Sequence, residues 1–127
     1  TGAPEPTDYS AVSLGLIGNG LVIDGTAWTW DGGYNLHVPV VDGRIYTWTW
    51  SNVGVTPDGS FKIREGDNWD GYSFGYPQVT MAGVHAGDFE TNNDQNFVPK
   101  EELTVDITFV IDDENDAYTF TVDPAAK

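Results

Sequence analysis

The clearest hydrophobic pattern lies in the last quarter of the chain. Leu103, Val105, Ile107, Phe109 and Ile111 alternate there with Thr104, Asp106, Thr108 and Val110. A period of two places the first set on one face of a strand. Residues 112–116 supply a polar turn, and Tyr118, Phe120 and Val122 then alternate with Thr119 and Thr121. Together these runs predict an antiparallel hairpin with one buried and one wetted face. Shorter strands are predicted upstream. Residues 12–17 are ended by Gly18-Asn19-Gly20, and 36–40 contain Pro39, which marks a sheet edge. Residues 44–50 follow the Asp42-Gly43 turn and set Tyr46, Trp48 and Trp50 on one face. Residues 60–65 follow Pro57-Asp58-Gly59, and a brief strand covers 72–74.

Between these runs the pattern fades. Residues 21–33 are rich in turn formers and carry Trp28 and Trp30, and 66–71 form a loop holding Trp69. Residues 77–96 are long and polar, with no readable period. No segment sustains a helical period. Many short strands separated by turns predict an all-β fold, an antiparallel β-sandwich of immunoglobulin-like type. Residues 1–10, with Pro4 and Pro6 in a small polar opening that starts at Thr1, read as the cut end of a linker. Residues 11–127 read as one domain, a size that suits a single core.

Composition changes the picture at one point. Aromatics make up 13% of the chain, with five Trp, more than one small core needs. Trp48 and Trp50 have strand phase and are expected inside. Trp28, Trp30 and Trp69 sit instead among Gly, Asp, Asn and Thr, where an exposed indole needs a reason. A sugar supplies one, because the C–H face of a pyranose stacks on an indole and its hydroxyls seek polar groups at the edge. Trp28 and Trp30 are two apart and share a face if their segment is extended. On the 60–65 strand, Phe61 and Ile63 are core-facing, which sends Lys62 and Arg64 to the open face near Trp69. There they are candidates to meet sugar hydroxyls. The competing reading pairs them with Asp67 and Asp70 as surface ion pairs of little energy.

Twenty acidic residues against five basic ones give a net charge of −15. That sign opposes binding to nucleic acid or to an anionic membrane surface, but not to a neutral glycan. The chain has no Cys, and no apolar run approaches a membrane span. Asp112, Asp113, Glu114 and Asp116 are dense but lack the spacing of a calcium loop, and read as a solvated turn. Asp88, Glu90 and Asp94 pose the same question more weakly. His37 and His85 are far apart in sequence, so a zinc site is not expected, and no cofactor is. No nucleophile elbow is present, and abundant acids say nothing about a glycosidase pair. The expectation is a binding protein, not an enzyme.

A family resemblance points the same way. Phe61-Lys62-Ile63-Arg64, followed by Trp69 and Gly71, resembles the FKF…W…G segment of SusE/SusF-like outer-membrane starch-binding proteins. Leu14-Gly15-Leu16-Ile17-Gly18 is similar to their opening hydrophobic-IGD strand, with Asn19 where the family often has Asp. Tyr46-Thr47-Trp48-Thr49 resembles their FTWTG strand, and Tyr118-Thr119-Phe120-Thr121-Val122 their closing YTI strand. The matches run in family order over residues 14–122.

The resemblance implies a cell-surface lipoprotein module of a Bacteroidetes polysaccharide utilization system. Such a module binds an α-glucan polysaccharide or oligosaccharide and passes it to a TonB-dependent transporter alongside sister binding proteins. Two Trp and one basic residue commonly bind the sugar in that family. Lys62 and Trp69 take those positions here, and the second Trp maps to Trp28 or Trp30. The lipid-bearing Cys lies outside this chain. The alternatives are a structural immunoglobulin-like spacer and a protein-interaction domain of the same kind of lipoprotein.

Overall fold

The computed structural model describes residues 8–66 and 69–125. In chain order its strands are β1 (Leu14–Ile17), β2 (Leu21–Ile23), β3 (Thr26–Ala27), β4 (Tyr34–His37), β5 (Val40–Asp42), β6 (Ile45–Val55) and β7 (Lys62–Glu65). The second half adds β8 (Ser73–Phe74), β9 (Thr80–Ala82), β10 (Phe89–Glu90), β11 (Val98–Pro99), β12 (Leu103–Asp112) and β13 (Ala117–Pro124). Single 3-10 turns cover Tyr76–Gln78 and Ala86–Asp88.

One sheet runs β4-β1-β7-β8. The other runs β3-β2-β6-β12-β13-β9, with β5 also paired to β6, and β10 and β11 form a separate ribbon. Strand pairs are antiparallel except β13 with β9, which is parallel. The chain crosses repeatedly between the two sheets, from β1 to β2 and β3, back to β4, on to β5 and β6, back to β7 and β8, and across again to β9. The chain is thus an all-β antiparallel sandwich.

The inner residues follow from the alternation. Val105, Ile107, Phe109 and Ile111 of β12 and Phe120 and Val122 of β13 are buried. On β6 the buried set is Tyr46, Trp48 and Trp50, and then, out of phase, Val53 and Val55. A bulge makes the change: Ile107 lies opposite Trp50, but Val105 lies opposite Val53. Asn52 supplies the extra residue with φ 55°, and its N–H donates to Asp106 Oδ1 at 2.9 Å. One inserted residue lets both halves of the strand face the core. Aromatic rings join the two sheets, with Phe74 reaching Phe109 at 4.9 Å between centroids and Phe61 reaching Phe120 at 6.3 Å.

Three features differ from the sequence reading. The strand expected at 36–40 is two strands, β4 in one sheet and β5 in the other, with Pro39 at the switch. Proline has no N–H to give a ladder, so the pairing breaks there. Tyr9, assigned to the linker, is only 5% exposed and meets Tyr46 edge-on at 5.2 Å. The domain therefore begins before residue 11. Finally, residues 77–96 are tied down as β9 on β13, two 3-10 turns and β10.

Candidate functional site

The site forms on the outer face of the first sheet. Ile63 of β7 is in the core, as is Phe61 just before it, so Lys62 and Arg64 take the other face. In the register with β1, Lys62 lies opposite Ile17 and Arg64 opposite Gly15. Cross-strand partners share a face, so Gly15 brings no side chain to the surface that Arg64 crosses. Two segments then fold over this face. The β2–β3 hairpin returns along β1, with Trp28 N–H donating to Leu21 O at 2.8 Å and Gly18 N–H donating to Thr29 O at 3.0 Å. That fixes the start of the Trp30 segment. The chain leaves β7 at Gly66, φ 63°, and Trp69 returns just before Tyr72, whose carbonyl accepts the Glu65 N–H at 2.8 Å. Tyr72 N–H also donates to Glu65 Oε1 at 3.0 Å.

These two segments bring Trp30 and Trp69 together, with ring centroids 6.3 Å apart and planes inclined by 35°. The Arg64 guanidinium lies 4.8 Å from the Trp69 ring centre, and Lys62 Nζ lies 6.0 Å from it. Both distances fall in the range of cation–π attraction, worth roughly 0.5–2 kcal/mol. Trp69 remains 50% exposed. Trp30, Lys62, Arg64 and Trp69 thus converge from three separate segments.

Two expectations are corrected. Trp28 does not join the group. Its ring is half-buried against the core, edge-on to Tyr34 at 5.4 Å, and its indole N–H donates to Gly32 O at 2.7 Å. The chain bends at residues 30–32, so two residues of spacing do not put Trp28 and Trp30 on one face. Arg64 is not on an open face either. It is 2% exposed, and Nε and Nη2 have no hydrogen-bond partner. Alternation correctly sent it out of the core, but Trp69 covers it there. Arg64 is a support beneath the indole, and half-buried Lys62 is the basic group nearer water. Among the described residues, ion pairs join Arg44 to Asp113 and His85 to Asp88, and neither Lys62 nor Arg64 pairs with a described acid. Asp67, a partner weighed for them, lies outside the described residues.

A polar cavity of about 550 Å³ opens beside Trp30. Its floor is braced. Ser60 N–H donates to Asn19 Oδ1 at 3.2 Å, and Asn96 Nδ2 donates to Ser60 Oγ at 2.9 Å. Asn92 Oδ1 accepts from the N–H groups of Asp94, at 3.0 Å, and Asn96, at 3.2 Å. Close glycines let these turns touch, since a Cβ on Gly20 would lie 2.6 Å from the Ser60 nitrogen. Glu90 and Asp94 complete the wall, both exposed, and no hydrogen bond among the described residues engages either carboxylate. In sequence, Glu90 and Asp94 stand out only together with Asp88, as a weak candidate for cation binding. Nothing in their spacing signals a shared wall with Trp30.

The other candidates hold structural partners. Asp113 forms a 2.9 Å ion pair with Arg44, and Asp112 Oδ2 accepts from Asn115 Nδ2 at 2.8 Å. That bond holds the Asp112 carboxyl below its ordinary range. His37 Nε2 accepts the Thr49 N–H at 3.3 Å, so Nδ1 carries the proton and donates to Asn35 O at 2.8 Å. The ring also meets Trp50 edge-on at 5.1 Å, which makes it a structural histidine.

Among the described residues no helix is long and apolar enough to cross a membrane. Comparisons with protein-family models, with curated proteins and with solved structures find no match.

Proposed function

We propose that the domain is a non-catalytic carbohydrate-binding module that captures α-glucan chains. In this reading the chain belongs to a lipid-anchored protein of the outer-membrane surface that works beside a TonB-dependent transporter. Trp30 and Trp69 form the stacking platform, Lys62 donates hydrogen bonds to hydroxyls at its edge, and Arg64 holds the Trp69 ring in place. The observation that carries the proposal is the Trp30–Trp69 pair itself. Two indoles from separate loops meet on the surface, over a cation, with 35° between their planes. An inclined pair suits a curved α-1,4-linked chain, whereas a flat row suits extended β-linked chains. The spacer alternative needs all three loop tryptophans inside, and the 50% exposure of Trp69 weighs against it.

Stacking on aromatic rings is worth roughly 1–3 kcal/mol per ring for nucleobases, and sugars gain similar or smaller amounts. Two rings and one ammonium then predict affinity on the order of micromolar to millimolar, raised by avidity where several modules act together. A glycan array probed with this domain tests the proposal. Signal on starch-like glucans, absent on cellulose-like ones, is the expected result. A blank array, or one that prefers β-linked chains, overturns it.

A further inference from the structure

The platform has chemically different surroundings on its two sides. At the Trp69 side two cations approach the ring, with Lys62 Nζ 6.0 Å and the Arg64 guanidinium 4.8 Å from its centre. At the Trp30 side the ring becomes a wall of the 550 Å³ cavity that also contains Glu90 and Asp94. A cavity of this size is within the range that holds a small ligand. An ionised carboxylate only accepts hydrogen bonds and an ammonium only donates them. Ser60, Asn92 and Asn96 spend hydrogen-bonding groups on holding the cavity's shape, whereas no hydrogen bond among the described residues engages the Glu90 and Asp94 carboxylates, which can accept from a ligand.

We infer that the glycan site extends past the two rings into this cavity, which receives one end of the chain and admits neutral sugars while rejecting acidic ones. The inference rests on the carbohydrate reading above and specifies its substrate class. Sugar hydroxyls donate to Glu90 and Asp94 at one end, and Lys62 donates to the chain at the other. A uronic acid entering the cavity meets two like charges, in a protein whose net charge is already −15. The two rings and the cavity together require a chain longer than a disaccharide.

The test titrates the intact chain with maltose through maltoheptaose, and with chains of equal length that end in glucuronic acid at the non-reducing or the reducing end. Tryptophan fluorescence reports binding at about 0.15 M salt. Affinity should rise from maltose to maltotriose. For one of the two terminal positions, the acidic chain should bind at least about tenfold more weakly than its neutral counterpart. Glu90→Gln with Asp94→Asn, which keeps shape and removes charge, should shrink that penalty to within about threefold. Acidic and neutral chains binding the wild type alike, at either end, would overturn the inference without needing the variant. So would a penalty that survives the double replacement. If Trp69→Ala still abolishes binding in those cases, the platform stands and only the cavity is a bystander. If the wild type binds none of these chains, the carbohydrate reading falls and takes the cavity with it.

Discussion

Trp48 and Trp50 on one side, and Trp30 and Trp69 on the other, are the same residue used in opposite ways. The first two are fully buried, and each indole N–H donates to a backbone carbonyl: Val12 O for Trp48 and Asn35 O for Trp50, both at 3.1 Å. They lie on one strand, are fixed by its alternation, and tie distant segments to it. Trp30 and Trp69 lie on loops, and no hydrogen bond among the described residues holds either indole N–H. Their rings are set by each other and by the cation beneath Trp69. A core tryptophan is held through its edge and its faces together. In the proposed site, Trp30 and Trp69 are held through one face and leave the other for a ligand.

The contrast breaks most visibly in stability. Trp48→Ala opens a large cavity and frees the Val12 carbonyl, and should cost about 3–5 kcal/mol in urea unfolding, a large part of the stability of a domain this size. Trp69→Ala and Trp30→Ala should each cost less than about 1 kcal/mol by the same measurement. In binding the order reverses. Either loop replacement should weaken α-glucan binding at least about tenfold, the loss of one stacked ring. Trp28→Ala should leave binding nearly intact while costing about 1–2 kcal/mol of stability, because that ring packs on the core. Paired unfolding and titration curves for the four variants check both rankings.

Arg64 sharpens the comparison. Its buried guanidinium keeps two nitrogens without partners, a state that costs stability on its own. Arg64→Met keeps most of the volume and removes the unmet donors. Unfolding should change by less than about 1 kcal/mol, or rise slightly. Glucan affinity should still fall several-fold, because the Trp69 ring loses its cation. A variant as stable as wild type but weaker in binding separates positioning from folding. Equal affinity in both would remove Arg64 from the site.

The smallest effect concerns alkaline pH. Burial, and next a hydrogen bond with Tyr9, push the Tyr118 phenol well above the ordinary value of 10.0. The fold thus prefers the neutral phenol. Its contribution is complete below pH 10 and falls as the pH rises beyond that value. Tyr118→Phe should show a shallower loss of stability between pH 10 and 12 than the wild type, as read by thermal unfolding across that range.

Much of the fold was legible where burial is one-sided. The β12–β13 hairpin, the core positions of Trp48 and Trp50, and the outward phase of Lys62 and Arg64 all follow from a period of two. Alternation says which face a side chain takes but not what covers that face, so the burial of Arg64 under Trp69 was invisible. Likewise Trp28 and Trp30 look equivalent in sequence. They differ because the chain bends at residues 30–32, and one ring finds Gly32 and Tyr34 while the other finds Trp69. The Glu90–Asp94 wall was unreadable for a related reason. Two-residue strands and 3-10 turns carry no period, and their place depends on long-range braces such as Asn96 to Ser60.

Isothermal titration of maltoheptaose into the wild type and into Trp69→Ala tests the central claim most directly. Saturable heat for the wild type, with a micromolar to millimolar dissociation constant, and none for an equally folded Trp69→Ala is the predicted outcome. Equal heats from both proteins, or no heat from the wild type, would contradict the assignment of these two rings to sugar binding.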